Sequence, residues 1–566
     1  MSSAMRPWIP DPEPSPMSAR MTTLPEQHEY RRFSAPREDR SALVDPPFAA
    51  ARDVIAENVE RRLHSDYDFQ GRSFADLCAQ ARAELLAAAR RWTDAYRRVD
   101  LPSEDPAGLV LLAGHQPELF HPGVWFKNFA LGELARRHGA AAVNLVIDSD
   151  TTKHLALRVP GGTATGPRVK LVPLDQSEPL VPYEERQIVD GRTFAEFGPR
   201  AAEWIAPLVR DPLVREYWPM VLERARHTRK LGYCLAQARH QLEGRWGLQT
   251  LEVPQSWVCA CESFAWLVAH LVAEAPRFRE VYNQAAREYR AAHGIRNAAH
   301  PVPDLAAEGP WTEVPFWVWT TGEPQRRRLF VRQAGRETVL SDRRGLECAL
   351  PLAPGADAGA AVARLVELAR RGVKIRSRAL VTTLWARLVL GDLFLHGIGG
   401  AKYDQVTDRL IERFFGLRAP TIMVLSATLL LPIQRRQAVA GQANDVRRQL
   451  RDLTYHPERF LGDLLAPDNA GGDELWSLLA AKQQWVRTPQ TPENAHSRWR
   501  AFCRINAALQ PYVEHHRRQL VQTQSQTAAD LRAEAILAWR EYGSCLYPEE
   551  LLHEFLEALL PRQAVL

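Results

Sequence analysis

Two short stretches of this chain gather the residue types that move protons and hold anions. The first is Gly114-His115-Gln116, which runs on to His121 and is followed by Lys127; the second is Asp148-Ser149-Asp150, with His154 close behind. Histidine titrates near neutral pH, so His115 and His121 are candidates to stabilise charge or to act as acid and base. Asp148 and Asp150 are candidate catalytic carboxylates that would bind a ribose, an amine or Mg²⁺. An amine nucleophile must lose a proton, and a histidine next to carboxylates can take it. Gly114, Gln116, Lys127 and His154 complete the set as binding residues for substrate or nucleotide.

The elements that would position these residues are legible around them. Leu109–Ala113 is an apolar run of strand length, and Pro122 stands where a first helical residue should stand, since its missing N–H has no partner there anyway. The helix is expected to run to His138 and stop at Gly139. A second apolar run, Val143–Ile147, ends at the aspartates. This is a βαβ unit with strands buried on both faces, as in a parallel sheet. Ligands of such sheets bind outside the carboxyl ends of the strands. The helix N-terminus favours a phosphate or carboxylate, and Lys127, leaning toward that end, could reach the same anion. The loop lacks the dinucleotide fingerprint, so NAD is not expected. The bland alternatives are a solvated lysine at 127 and a helix cap at His121.

The chain has 566 residues, 46% of them hydrophobic and 25% charged, which fits a soluble protein of several domains. Its net charge of +5 is small for this length and gives no case for nucleic acid or a membrane surface. No apolar run spans a bilayer and no signal-peptide pattern opens the chain, so the expected location is cytoplasmic. The seven cysteines are scattered without a disulfide framework, and Cys259-Ala-Cys261 lacks zinc-knuckle spacing. No dedicated metal site is read, because no helical His-x-x-x-His pair supports a metal hydrolase.

In order, residues 1–45 read as a disordered tail, rich in Pro, Ser and Arg. Residues 46–432 form the expected α/β core, opening with one or two helices before the first strand. Within it, residues 155–174 read as a hairpin about a Gly-Gly turn, and 178–247 as a mostly helical insertion that would overhang the ligand as a lid. Leu251–Ala260 reads as a strand. Residues 311–341 alternate as antiparallel strands, and their Trp311, Phe316, Trp317 and Trp319 fit core packing better than a stacking surface for a base. A second glycine-rich loop, His396 to Gly400, precedes a helix with Lys402. Its N–H groups could form an anion nest with Gly399 and Gly400, approached by Arg376 and Arg378. Residues 433–545 read as a helical arm of two long polar helices, with a short heptad seam at Val439, Ala443, Val446, Leu450 and Leu453. Residues 546–566 bring a last helix back to the body.

The central segments resemble the bacillithiol-biosynthesis cysteine-adding enzyme family. There a strand leads into a Gly-Gln-Gln loop, a Leu-Phe, a Gly-Pro and a lysine-bearing helix; here AGHQPELFHPGVWFKNFA matches at Gly114, Gln116, Leu119, Phe120 and Lys127. The family's Ile-x-Ser-Glu-Asp-His-Asp stretch corresponds to Ile147-Asp148-Ser149-Asp150-Thr151-Thr152-Lys153. Its Arg-Pro strand, Gly-Gly loop and Ser-Leu-Thr-Leu strand end correspond to Arg378-Ala379, Gly399-Gly400 and Ser426-Ala427-Thr428-Leu429. The resemblance covers roughly residues 55 to 560. It implies a nucleotidyltransferase-like Rossmann core with insertions and a coiled-coil arm used for homodimerisation. It also implies a ligase or transferase that joins cysteine to a glucosaminyl-malate acceptor, with an adenine nucleotide as ligand. The departures are His115 for the first Gln, and Thr151, Thr152 and Lys153 where the family has acidic and histidine residues.

Three readings follow. One is an enzyme condensing or transferring groups on a small acidic or phosphate-bearing substrate, with an adenine or cytidine nucleotide and Mg²⁺ as candidate cofactors. The second is a non-catalytic nucleotide- or metabolite-binding protein of the same fold. The third is a scaffold whose core is only structural.

Overall fold

The computed structural model describes residues 30–101, 105–152, 155–176, 180–434, 440–465 and 472–561. The expected βαβ unit is present: strand Val110–His115, helix Pro122–His138 and strand Ala141–Val146, the two strands paired in parallel. Gly139 ends the helix in the left-handed conformation, at φ 63°. The unbroken apolar run has a direct cause. Val110 and Leu112 face one hydrophobic cluster and Leu111 and Ala113 the other, and all four are sealed from solvent.

The main sheet has six strands in the order Ser41–Asp45, Met423–Thr428, Leu393–Gly397, Val110–His115, Ala141–Val146 and Leu251–Pro254. The last five are parallel to their neighbours, and Ser41–Asp45 closes the edge antiparallel. Numbered in chain order, the parallel strands read 3-2-1-4-5 across the sheet. The order therefore reverses between Val110–His115 and Leu393–Gly397, where open sheets of this kind open a crevice.

A second, antiparallel sheet runs Glu347–Leu350, Glu337–Ser341, Glu323–Ala334, Trp311–Thr320 and Val373–Ser377. It packs Phe316, Val318, Leu329 and Val331 into the same cluster as Val110 and Leu112. Its Trp311, Phe316 and Trp319 are buried, as expected of core aromatics. The insertion supplies helices Gly191–Ile205, Val214–Ala225 and Leu231–Arg245, which join the opposite cluster with the returning helix Glu549–Ala558.

Several expectations need correction. The tail does not extend to residue 45: Ser41–Asp45 pairs with Met423–Thr428, giving that strand a partner on its outer edge. The strand at Leu251 ends at Pro254 and turns into the short helix Gln255–Val258. The hairpin Ala156–Thr163 and Gly166–Pro173 turns after Thr163, while Gly161 lies inside the ladder against Trp204. The arm is not two long helices. Its described residues form four, Ala440–Tyr455, Asp473–Arg487, Ala495–Leu509 and Glu514–Leu537, with 3-10 turns at Pro457 and Pro511 where proline interrupts the α-helical ladder. Val446 and Leu453 of the seam are buried and their helix packs on Glu514–Leu537, so this stripe has a partner within the chain. Val439 lies outside the described residues.

Candidate functional site

The βαβ unit and the strand reversal bring most of the candidate residues together. Ile147 N–H donates to the His115 carbonyl at 2.9 Å, and Gln116 Nε2 donates to Asp150 Oδ2 at 3.2 Å, so the two loops lie side by side. Lys127 reaches back over the first turn of its helix and donates to the Gly114 carbonyl at 2.7 Å. It is only 2% exposed, and no carboxylate pairs with it among the described residues. Burial, with Arg239 nearby, lowers its pKa to about 8. The solvated-lysine alternative is therefore overturned.

His121 is the helix cap that the bland alternative named: its Nδ1 accepts from Gly123 N–H at 3.1 Å. That bond needs an unprotonated Nδ1, and burial with the Arg540 and Lys127 charges holds its pKa down to about 4. His115 donates through Nδ1 to the Gln116 carbonyl at 3.0 Å, which leaves Nε2 free to accept. Burial and then Lys127 lower its pKa to about 3. Gly123 is where the helix meets the last parallel strand: a Cβ there would stand 2.1 Å from the Ala427 carbonyl oxygen.

The Asp148 turn is built differently. Asp148 is fully buried and accepts from Ser256 N–H at 2.9 Å, from the Ser256 hydroxyl at 2.5 Å and from the Tyr233 hydroxyl at 3.1 Å. Burial, then Glu184 beside it, raises its pKa. Asp150 pairs with Arg326 of the antiparallel sheet at 3.0 Å, and the inserted segment donates Glu184 N–H to the Asp148 carbonyl at 2.8 Å. With their oxygens engaged in this way, the two aspartates do not fit a Mg²⁺ ligand set. Among the described residues no group of three or more His, Cys, Asp or Glu is placed to hold a metal ion.

Five expected binding residues fall elsewhere or act differently. Arg376 and Arg378 belong to the antiparallel sheet and its exit. Arg376 is held by Glu184 through two bonds of 2.8 and 3.0 Å, and Arg378 pairs with Glu313 at 2.8 Å and stacks on Trp317. Lys402 is exposed on the outer side of its helix. Gly399 and Gly400 lie inside helix Ile398–Leu410 with no positive φ, so they form no nest of alternating backbone hand. His154 lies outside the described residues.

The structure adds groups that sequence spacing missed. His396, at the carboxyl end of Leu393–Gly397, faces the same reversal: the Lys127 charge bears on it, and Lys127 Cε comes within 3.9 Å of the Cβ position of Gly397. Arg540 enters from the segment after the arm. It donates to the Ser426 hydroxyl at 3.1 Å, the Ala427 carbonyl at 3.0 Å and the Thr428 hydroxyl at 2.9 Å. Its sequence separation from the first loop hid it; the one available signal was a basic residue just before the aromatic-rich return to the body. The strand reversal thus gathers Lys127 and Arg540, two helix N-termini and three histidines kept neutral by burial. Such a site attracts negative charge and rejects cations. No protein family and no curated protein matches the chain.

Proposed function

We propose that the crevice at the strand reversal binds a small acidic or phosphate-bearing molecule. The observation that carries this is Lys127: a buried ammonium with one carbonyl acceptor and no carboxylate partner among the described residues, between two helix N-termini. A buried charge without a counter-charge is costly, and the missing counter-charge is what a bound anion brings. The strand order supports a Rossmann-like core for this site.

On this reading the protein is a ligase- or transferase-type enzyme similar in kind to the bacillithiol cysteine-adding enzymes, joining an amino acid or amine to an acidic or sugar-linked acceptor. An adenine or cytidine nucleotide is the proposed anion. Lys127 and the backbone N–H groups at the start of Ile398–Leu410 hold it, with the dipole of the capped helix Pro122–His138 behind them. His115 Nε2 accepts a hydrogen bond from the bound group, and Gln116, held by Asp150, orients a hydroxyl or amine. A cytoplasmic location and a homodimer formed through the helical arm belong to the same proposal.

Native mass spectrometry of freshly purified protein tests the binding step through a retained small molecule. Calorimetry with ATP and CTP on wild type and Lys127→Met quantifies it; equal affinity for both proteins would refute the reading. The second reading, a metabolite-binding protein without catalysis, draws on the closure of Asp148 by Ser256 and Tyr233, which leaves no free carboxylate there. Incubation with ATP, CTP and candidate acceptors, followed by mass analysis, separates the two.

A further inference from the structure

The glycines of the second loop have a task that their spacing did not suggest. A Cβ on Gly400 would sit 1.7 Å from His396 Cε1, 2.4 Å from its Nδ1 and 2.6 Å from its Nε2. Glycine is needed at this position to seat the imidazole. The ring lies edge-on to Phe394, with centroids 5.2 Å apart. One helical turn past Gly400 comes Asp404, fully buried, whose Oδ2 is 4.0 Å from His396 Nε2.

Asp404 is fixed from three sides. Arg387 donates to it at 2.7 Å, the Thr383 hydroxyl donates to its other oxygen, and the Thr407 hydroxyl is close by. Arg387 also pairs with Asp408, so two carboxylates share one guanidinium. Among the described residues no second cation pairs with that cluster, and a protonated His396 would supply one. His396 Nε2 is sealed from solvent without a hydrogen-bond partner among the described residues. Nδ1 is then the nitrogen left for the cleft. On the cleft side the facing charge is Lys127; behind the ring the facing charges are Asp404 and Arg387.

We propose that His396 is the proton acceptor of the cleft and that Asp404 is its positioning residue. With a proton on Nε2, directed at Asp404, Nδ1 offers its lone pair. A substrate hydroxyl, amine or thiol held beside Lys127 gives its proton to Nδ1, and the electron pair of the broken bond stays on the substrate atom as the nucleophile. The imidazolium is then balanced by the Asp404 charge, 4.0 Å from Nε2. Burial, opposed by Asp404 and aided by Lys127 and Arg387, holds the imidazole to about 4. An anion on Lys127 removes that repulsion, so binding raises the His396 pKa and arms the base only when a substrate is present. The inference rests on the anion reading of the cleft.

Nitrogen NMR on the full chain carrying ¹⁵N-histidine tests it, with His396→Gln to assign the resonances and inorganic pyrophosphate as probe. The expected result is a neutral His396 protonated on Nε2 whose pKa rises by about one unit or more when pyrophosphate binds. Asp404→Asn should lower that pKa and mix the tautomers. Gly400→Ala, which leaves Asp404 paired, should displace the ring and remove the pyrophosphate response. A proton on Nδ1, or a His396 pKa unmoved by bound pyrophosphate, would overturn the proposal. If pyrophosphate does not bind while the Nε2 tautomer and its response to Asp404→Asn persist, the anion reading falls and the dyad stands.

Discussion

The two strand ends that flank the crevice differ in how their charges are settled. At the Asp148 turn every carboxylate has a partner: Ser256 and Tyr233 on Asp148, Arg376 and Lys374 on Glu184, Arg326 on Asp150. At the strand reversal Lys127 and Arg540 meet carbonyl and hydroxyl oxygens, and among the described residues the only carboxylate beside either is the half-exposed Glu541, 3.8 Å from Arg540. The first end is closed by the protein itself and reads as scaffold. The second is electrostatically incomplete, which is where a ligand adds most. A cluster of charges is informative through what it lacks.

Perturbing each end should separate the roles. The largest effect is expected from Arg376→Leu, which leaves the buried Glu184 beside Asp148 with only the longer contact to Lys374 and should cost about 3 kcal/mol of unfolding free energy. Urea denaturation measures it; a loss under about 1 kcal/mol would mean that the turn is not scaffold. Next, Lys127→Met should weaken binding of a nucleotide anion by about 30-fold or more, roughly 2 kcal/mol, while leaving stability equal or higher. A parallel fall in melting temperature without loss of affinity would reverse the assignment of the two ends.

The pH dependence follows. His115, His121 and His396 are held to about 3, 4 and 4 in the fold, below the ordinary 6.5. Above that ordinary value they are neutral in both states and contribute nothing to the dependence. As pH falls below 6.5 the unfolded chain takes up protons that the fold refuses, so stability should drop toward pH 4. The slope is at most about 1.4 kcal/mol per pH unit for each histidine, reduced by solvent screening. For Lys127, held to about 8 against 10.5, the same logic makes stability rise with pH between those values. Melting curves across pH 4–10 on wild type and Lys127→Met check both windows, and the alkaline rise should vanish in the variant. The smallest effect belongs to Arg326→Gln. Its pair with Asp150 is partly solvated, so the loss should stay near or below about 1 kcal/mol in a double-mutant cycle with Asp150→Asn.

Much of the scaffold was legible locally. Pro122 and Gly139 bracket the helix because one lacks an N–H and the other tolerates a positive φ, and both properties are intrinsic to the residue. The apolar strands were legible because burial on both faces removes alternation. The sequence also placed Gly114, His115, Gln116, Lys127 and the aspartates at adjacent strand ends, since the βαβ unit alone brings them together. It misassigned Arg376 and Arg378, because nothing local says that their strand pairs with Trp311–Thr320 in another sheet.

What the chain determined by itself, then, was the set of short-range choices: where strands and helices begin and end, and which residues one supersecondary unit presents. Only the tertiary structure decided which charges are cancelled and which are left open. Asp148 is quenched by Ser256, more than a hundred residues away, and Lys127 is left without a carboxylate by everything packed around it. Electrostatic completeness is a sum over neighbours in space, and sequence distance carries almost no information about that sum.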